Sequence, residues 1–154
     1  MRTEQATTGD MVGRGIVAGI GGTVVMTAFQ TLVEMPLTER EESYAPANFA
    51  EKVTPMQTRS PAGRRRLNWA THFALGAMWG AAYGIAAARG LRGQKAVSAV
   101  FAVVYAGDVA LNTALGLYRP HQWSTKDALI DVVDKYVQAQ GTGAVFDRLL
   151  DPAS

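Results

Sequence analysis

The 154-residue chain has no cysteine, which excludes disulfides, zinc–thiolate centres and thiol nucleophiles. It is poor in charge: Asp, Glu, Lys and Arg make up 18% of it, against about 25% in soluble domains, while 48% is hydrophobic. Its two histidines, His72 and His121, stand far apart and give no metal-ligand spacing. There is no glycine-rich phosphate loop, no His-Glu-x-x-His and no Gly-x-Ser-x-Gly, so no catalytic chemistry, cofactor or metal is expected. The net charge is only +2. Its one basic run, Arg64-Arg65-Arg66, adjoins an apolar segment and reads as a membrane-flanking anchor rather than a nucleic-acid surface. Strand-type alternation is missing too, which points to an all-α chain.

What the sequence does have is long uncharged runs. Nineteen residues separate Arg14 from Glu34, 22 separate Arg66 from Arg89, and 23 separate Lys95 from Arg119 with only Asp108 between. A membrane-spanning helix needs about 20 predominantly apolar residues. The first run is longer than a signal-peptide core and no Ala-x-Ala site follows it, so a retained span is expected. The expected architecture is a membrane four-helix bundle. Residues 1–11 form a flexible N-terminus and 12–150 a single helical domain, with spans at about 13–35, 66–88, 95–118 and 126–150.

Local signals set the expected ends. Pro36 stops the first helix and Pro120 the third, while Gly90 and Gly93 break the second. Ser60-Pro61 and the Ser124 to Asp127 capping box open the second and fourth. The loop 37–60 carries a short interfacial helix, 46–53, with Phe49 and Val53 on one face. The fourth helix is the most polar: it either spans, with its aspartates turned inward, or lies flat on the surface. Trp69, Tyr118 and Trp123 fall on one side of the membrane as an aromatic belt. Lys and Arg are divided between both sides and set no orientation.

Glycine is placed where it is costly. Gly76, Gly80, Gly84 and Ala88 recur every four residues inside an uncharged helix, although each helical glycine costs about 1 kcal/mol against alanine. Apolar contacts between helices gain little in lipid, so small-residue faces that let backbones approach become the means of association. Gly15 and Gly19 form a matching pair in the first helix, and Ala106, Ala110 and Ala114 another face in the third.

Polar residues inside the apolar segments are also periodic. Thr23, Thr27, Gln30 and Glu34 share one face of the first helix, and Tyr105, Asp108 and Asn112 one face of the third. Asp127, Asp131, Asp134 and Gln138 do the same in the fourth, while His72 leads into the glycine stripe. Antiparallel connectivity puts Glu34, His72, Asp108, Asn112 and Asp131 in one half of the bundle. An intramembrane carboxylate is a functional-site hypothesis by default, and His72 is the expected partner of Asp108. Such a seam serves either a proton- or ion-linked site or interhelical hydrogen bonding alone.

The stretches GIVAGIGGTVVMTAFQTLVE, PLTEREESYAPANFAEKV, HFALGAMWGAAYG and LGLYRPHQWS resemble small bacterial four-span inner-membrane proteins of unknown function, the YagU-like group. The resemblance covers residues 12–150. It rests on Gly-x-x-Gly-Thr-x-x-Met-Thr, Gly19 to Thr27, and on His-x3-Gly-x3-Gly-x2-Tyr-Gly, His72 to Gly84. It implies a multi-pass protein of the bacterial inner membrane without known catalytic activity. The fourth helix departs from that pattern, reading DVVDKYVQAQGTG where a more apolar segment with a histidine and a Tyr-Gly pair is expected. The expected partners are the lipid bilayer, and a second copy or a larger membrane protein met through an outward glycine stripe. A soluble helical bundle is the remaining alternative.

Overall fold

A computed structural model describes residues 6–152. The chain is all-helical, 81% helix, with five helices and no strand among the described residues. They are α1 (Thr8–Phe29), α2 (Ala45–Val53), α3 (Pro61–Ala88), α4 (Gly93–Ala114) and α5 (Thr125–Val145). The four long ones pack antiparallel to their chain neighbours, with α1 held between α3 and α5, while α4 closes the side between α3 and α5. Two helices, Thr8–Thr38 and Gly93–Ala114, are long and apolar enough to cross a membrane.

The helix starts follow local chemistry. Ser60 accepts the Gly63 N–H, with Pro61 in the first turn, and Ser124 and Asp127 cap α5 reciprocally. An unforeseen box starts α1: Thr7 accepts from Asp10 N–H, and the Asp10 carboxylate accepts from Thr7. The Thr7 hydroxyl and then its backbone N–H hold the Asp10 carboxyl below its usual range. Residues 8–11 are therefore helical, part of α1. Residues 1–5 of the expected N-terminus lie outside the described residues.

Several ends differ from expectation. Pro36 does not stop the first helix. A π-helical turn, Gln30–Glu34, precedes the proline, and Met35 N–H reaches back to Gln30 O. This wide turn leads into Met35–Thr38, and the helix ends at Glu39, whose φ is +58°. A π turn changes the register of carbonyls ahead of the proline ring, the group that would otherwise collide with it. Helix α4 ends before Pro120, because Gly116 adopts φ +74° and closes a Schellman turn from Gly116 N–H to Thr113 O and from Leu117 N–H to Asn112 O. On α2 the buried face is Ala47 and Ala50, and Val53 is exposed. Small side chains let α2 lie close on α3, where Asn68 Oδ1 accepts the Ala47 N–H at 3.1 Å.

The glycine faces of α1 and α3 meet. A Cβ on Gly80 would stand 2.7 Å from Gly19 Cα, and one on Gly15 would stand 2.9 Å from Gly84 Cα. Thr23 covers Gly76, its hydroxyl bonded back to Gly19 O at 2.9 Å. The stripe thus faces inward, and Ala88 is exposed beyond its end. Helix α5 uses the same device on the other flank of α1, where a Cβ on Gly22 would meet Thr142 N at 2.7 Å. The expected packing face of the third helix, Ala106, Ala110 and Ala114, is instead exposed. The bulkier Val97, Val100, Phe101 and Tyr105 turn inward and join the core around Trp79, Tyr83 and Phe146.

Candidate functional site

The seam between α1 and α3 fixes which polar residues meet. Four residues beyond Thr23, Thr27 Oγ1 stands 3.1 Å from His72 Nε2. On the other flank, Gln30 Nε2 donates to Asp134 Oδ2 at 2.7 Å and Gln138 Nε2 to Gly19 O at 3.1 Å. At this end the helices part and leave a cleft of about 720 Å³, its rim formed by the segment after Thr38. All five sequence-predicted residues, Glu34, His72, Asp108, Asn112 and Asp131, line it. The π turn of α1 borders the cleft and supplies Gln30 and Glu34, in keeping with the frequent placement of such turns at functional sites.

The pairing inside differs from expectation in one respect. His72 bonds Thr27 and rests edge-on against Trp69, with ring centroids 5.9 Å apart. It does not bond Asp108. Asp108 takes its hydrogen bond from Asn112 Nδ2, at 3.0 Å, one turn along the same helix. Asn112 also accepts Leu117 N–H and Tyr118 N–H through its backbone carbonyl, so one residue holds both Asp108 and the turn carrying Tyr118. Glu34 accepts from the Thr38 hydroxyl at 2.8 Å. Asp131 accepts from Tyr105 Oη at 2.9 Å and from Lys135 Nζ at 3.4 Å.

Lys135 is the residue that sequence reasoning missed. It lines the cleft, and its ammonium donates to Asp131 Oδ1 at 3.4 Å. The available signal was its place one helical turn after Asp131 and three residues before Gln138, on the edge of the polar face. Trp79 was missed as well. It is buried and, with Trp69 and Trp123, brings every tryptophan of the chain to the cleft.

The hydrogen bonding of the cleft wall is incomplete at three places. Asp108 Oδ2, Asp134 Oδ1 and Gln138 Oε1 are buried acceptors with no donor. Asp147 Oδ1, at the far end of the bundle, is a fourth, but the other oxygen of that carboxylate accepts two hydrogen bonds. An unsatisfied buried acceptor costs about 1–3 kcal/mol, more when charged, so three around one cleft call for an explanation. No group of three His, Asp or Glu side chains is arranged to hold a metal ion among the described residues.

No protein-family model, curated protein or solved structure matches the chain.

Proposed function

We propose that the chain is a small multi-pass integral membrane protein whose cleft has a proton- or ion-linked role. The observation that carries this reading is the inverted amphipathicity of α5. Asp134 and Gln138 are buried, while Leu129 is 59% exposed and Val132 and Val133 face outward with it. Water favours the opposite arrangement, and lipid favours this one. The two most apolar helices support it: only 28% and 22% of their apolar windows is buried, unlike the core helices of a soluble bundle. Helix α5 is seated in the bundle against α1, which supports the inward-facing reading of its polar side over a helix lying apart on the surface.

The YagU-like resemblance, and the bacterial inner membrane with it, belongs to the same proposal. It rests on the two motifs, whose Gly19, Gly76 and Gly80 sit in the α1–α3 seam and whose Thr27 and His72 bond across the cleft. A proton-linked role would draw on Asp108, Asp131 and Asp134, with Glu34, His72, Tyr118 and Lys135 facing them. Fractionation of the expressed protein with an alkaline carbonate wash tests the membrane assignment: retention until detergent is added is expected, and release by the wash overturns it. In reconstituted protein, Asp108→Asn is then expected to change the pH dependence of tryptophan emission. An unchanged profile would leave hydrogen bonding as the seam's whole role.

The exposed stripe Ala106, Ala110 and Ala114 favours a second reading, in which α4 packs on another copy of the chain in the bilayer. Ala110→Leu is expected to reduce crosslinked dimer in membranes, and an unaltered crosslinking yield removes that reading.

A further inference from the structure

Charge is unevenly divided along this chain. Between Glu51 and Asp108 stand eight Lys and Arg and no Asp or Glu, so all 13 acidic residues lie outside the segment that holds α3. A net charge of +2 thus conceals one strongly basic stretch, and such asymmetry points to a partner of opposite charge. Its densest part is Arg64-Arg65-Arg66, in the opening turns of α3.

Within that run the three side chains have different fates. Arg64 is committed to α2: it donates to Asn48 Oδ1 at 2.7 Å, and its guanidinium lies over the Tyr44 ring, 5.3 Å from the centroid. Arg65 and Arg66 are exposed and make no hydrogen bond or ion pair among the described residues. Arg65 borders the cleft without pairing to any of its carboxylates. Packing of α2 on α3 therefore accounts for Arg64 and not for its two neighbours.

The face that carries them continues in aromatic rings. Trp69 follows Arg65 by four residues and Arg66 by three, and Phe73 follows Trp69 by four, which puts them on one side of the helix. Trp69 is 38% exposed, and its ring stacks on that of Phe73 with centroids 6.2 Å apart. Ala70 and Ala74, both exposed, leave room for a chain beside the rings. At the helical rise, Trp69 lies about 5 Å along the axis from the arginines and Phe73 about 11 Å. A phospholipid has the same order: phosphate, then glycerol and ester groups, then hydrocarbon. Guanidinium forks match phosphate oxygens, and an exposed indole suits the boundary between head group and chain.

We propose that Arg65 and Arg66 hold the head group of an anionic phospholipid, its phosphate on the two guanidiniums and an acyl chain along Trp69 and Phe73. A net anion is preferred because a zwitterionic head group brings its own cation among the arginines. The inference rests on the membrane reading above and gives the bilayer a chemical preference at one end of the bundle.

Trp69 serves as the reporter. Full-length protein is reconstituted into vesicles of phosphatidylcholine and phosphatidylglycerol in equal parts, with brominated chains on one lipid or the other. Bromine quenches indole emission on contact, so the ratio of the two quenching levels measures the local preference. A preference for phosphatidylglycerol of roughly fivefold or more is expected. Arg65→Gln/Arg66→Gln is expected to bring the ratio close to one. Arg89→Gln/Lys95→Gln, which removes the same charge from exposed positions at the far end of α3, is expected to leave it unchanged. Trp69→Phe is expected to remove most of the lipid-selective quenching. Equal quenching by the two lipids overturns the proposal, as does a preference that survives in Arg65→Gln/Arg66→Gln or in Trp69→Phe. An equal loss in Arg89→Gln/Lys95→Gln replaces the site by net charge alone, and suppression of the preference by inorganic phosphate replaces the lipid by a free anion; either result overturns it. Equal quenching in a protein that the carbonate wash retains removes the lipid site alone, whereas release by the wash removes the membrane reading itself.

Discussion

The two ends of the bundle are built from the same four helices and solve opposite problems. At the end holding the start of α1 and the close of α3, backbones touch through Gly15 and Gly84, and large side chains fill the interior. Tyr83 and Phe146 are fully buried, and the Tyr83 hydroxyl donates to Asp147 Oδ2 at 2.8 Å. The same oxygen accepts Gly93 N–H at 2.9 Å, Arg92 pairs with Asp151, and Arg14 donates to Leu150 O at 2.7 Å, tying the termini of three helices together. One buried acceptor, Asp147 Oδ1, is left over. At the other end the helices part, acidic side chains outnumber basic ones, and three buried acceptors stand without donors around an open cleft. Polarity therefore does not distinguish the two ends, since both are polar. The difference is satisfaction: charge at the first end is spent mainly on closure, and at the second three buried acceptors are left without donors.

The most severe way to break this comparison is at the seam that both ends share. Gly80→Leu should abolish folding, because even its Cβ meets the backbone of Gly19, and backbone cannot rotate away as a side chain can. The expected cost is about 3 kcal/mol or more, read as loss of monodisperse protein in detergent. A Cβ on Gly107 would meet nothing within 4 Å, so Gly107→Ala should instead stabilise by up to about 1 kcal/mol through helix propensity. Equal tolerance at Gly80 and Gly107 in thermal denaturation would falsify the close approach of α1 and α3.

Tyr83→Phe sharpens the comparison at the closed end. It removes the phenolic donor to Asp147 while keeping the ring against Phe146, and an expected loss of about 1.5–3 kcal/mol follows from a hydrogen bond to a charged group. Denaturation in detergent checks it, and a change below about 0.5 kcal/mol would mean that the end is not closed by this bond.

At the open end, His72→Ala should cost about 1 kcal/mol for the Thr27 bond. A double-mutant cycle with Asp108→Asn should be additive within about 0.5 kcal/mol, because the two side chains share no bond. A coupling well above that would restore the His72–Asp108 pair that the sequence led us to expect.

The smallest effect concerns the connection between α2 and α3. Glu51 accepts from both the hydroxyl and the backbone N–H of Thr58, and these bonds, the hydroxyl's first, hold its carboxyl below the usual range. A lowered carboxyl pKa gives a tether that is fully present above the ordinary glutamate value, about 4.3, and is lost as pH falls through the lowered one. Thr58 amide protection measured by hydrogen exchange should fall across that acidic window, and Thr58→Ala should remove the dependence.

Much of the candidate site was legible because its residues repeat with the helical period. Thr27, Gln30 and Glu34 had to share a face wherever that face pointed, and antiparallel connectivity brought it to the same end as His72 and Asp131. Lys135 was not legible. Read along one helix, a lysine beside an aspartate is a solvated pair, and only the packing of the helices makes it part of a cleft wall. The alanines of α4 misled for a related reason. That helix has a small face and a bulky one, and its sequence does not say which of them the bundle covers.

The sequence by itself determined the local events: capping boxes at Thr7 and Ser124, left-handed closures at Gly90 and Gly116, and the faces on which glycine and polar residues fall. These depend on groups within a turn or two of one another. The tertiary structure alone decided the partners. Once Gly19 lies against Gly80, Thr27 must meet His72, and once Gly22 lies against Thr142, Gln30 must meet Asp134, 104 residues away. Interhelical register is set by the closest backbone approach, and it is that register which leaves Asp108, Asp134 and Gln138 around one opening with acceptors still unfilled.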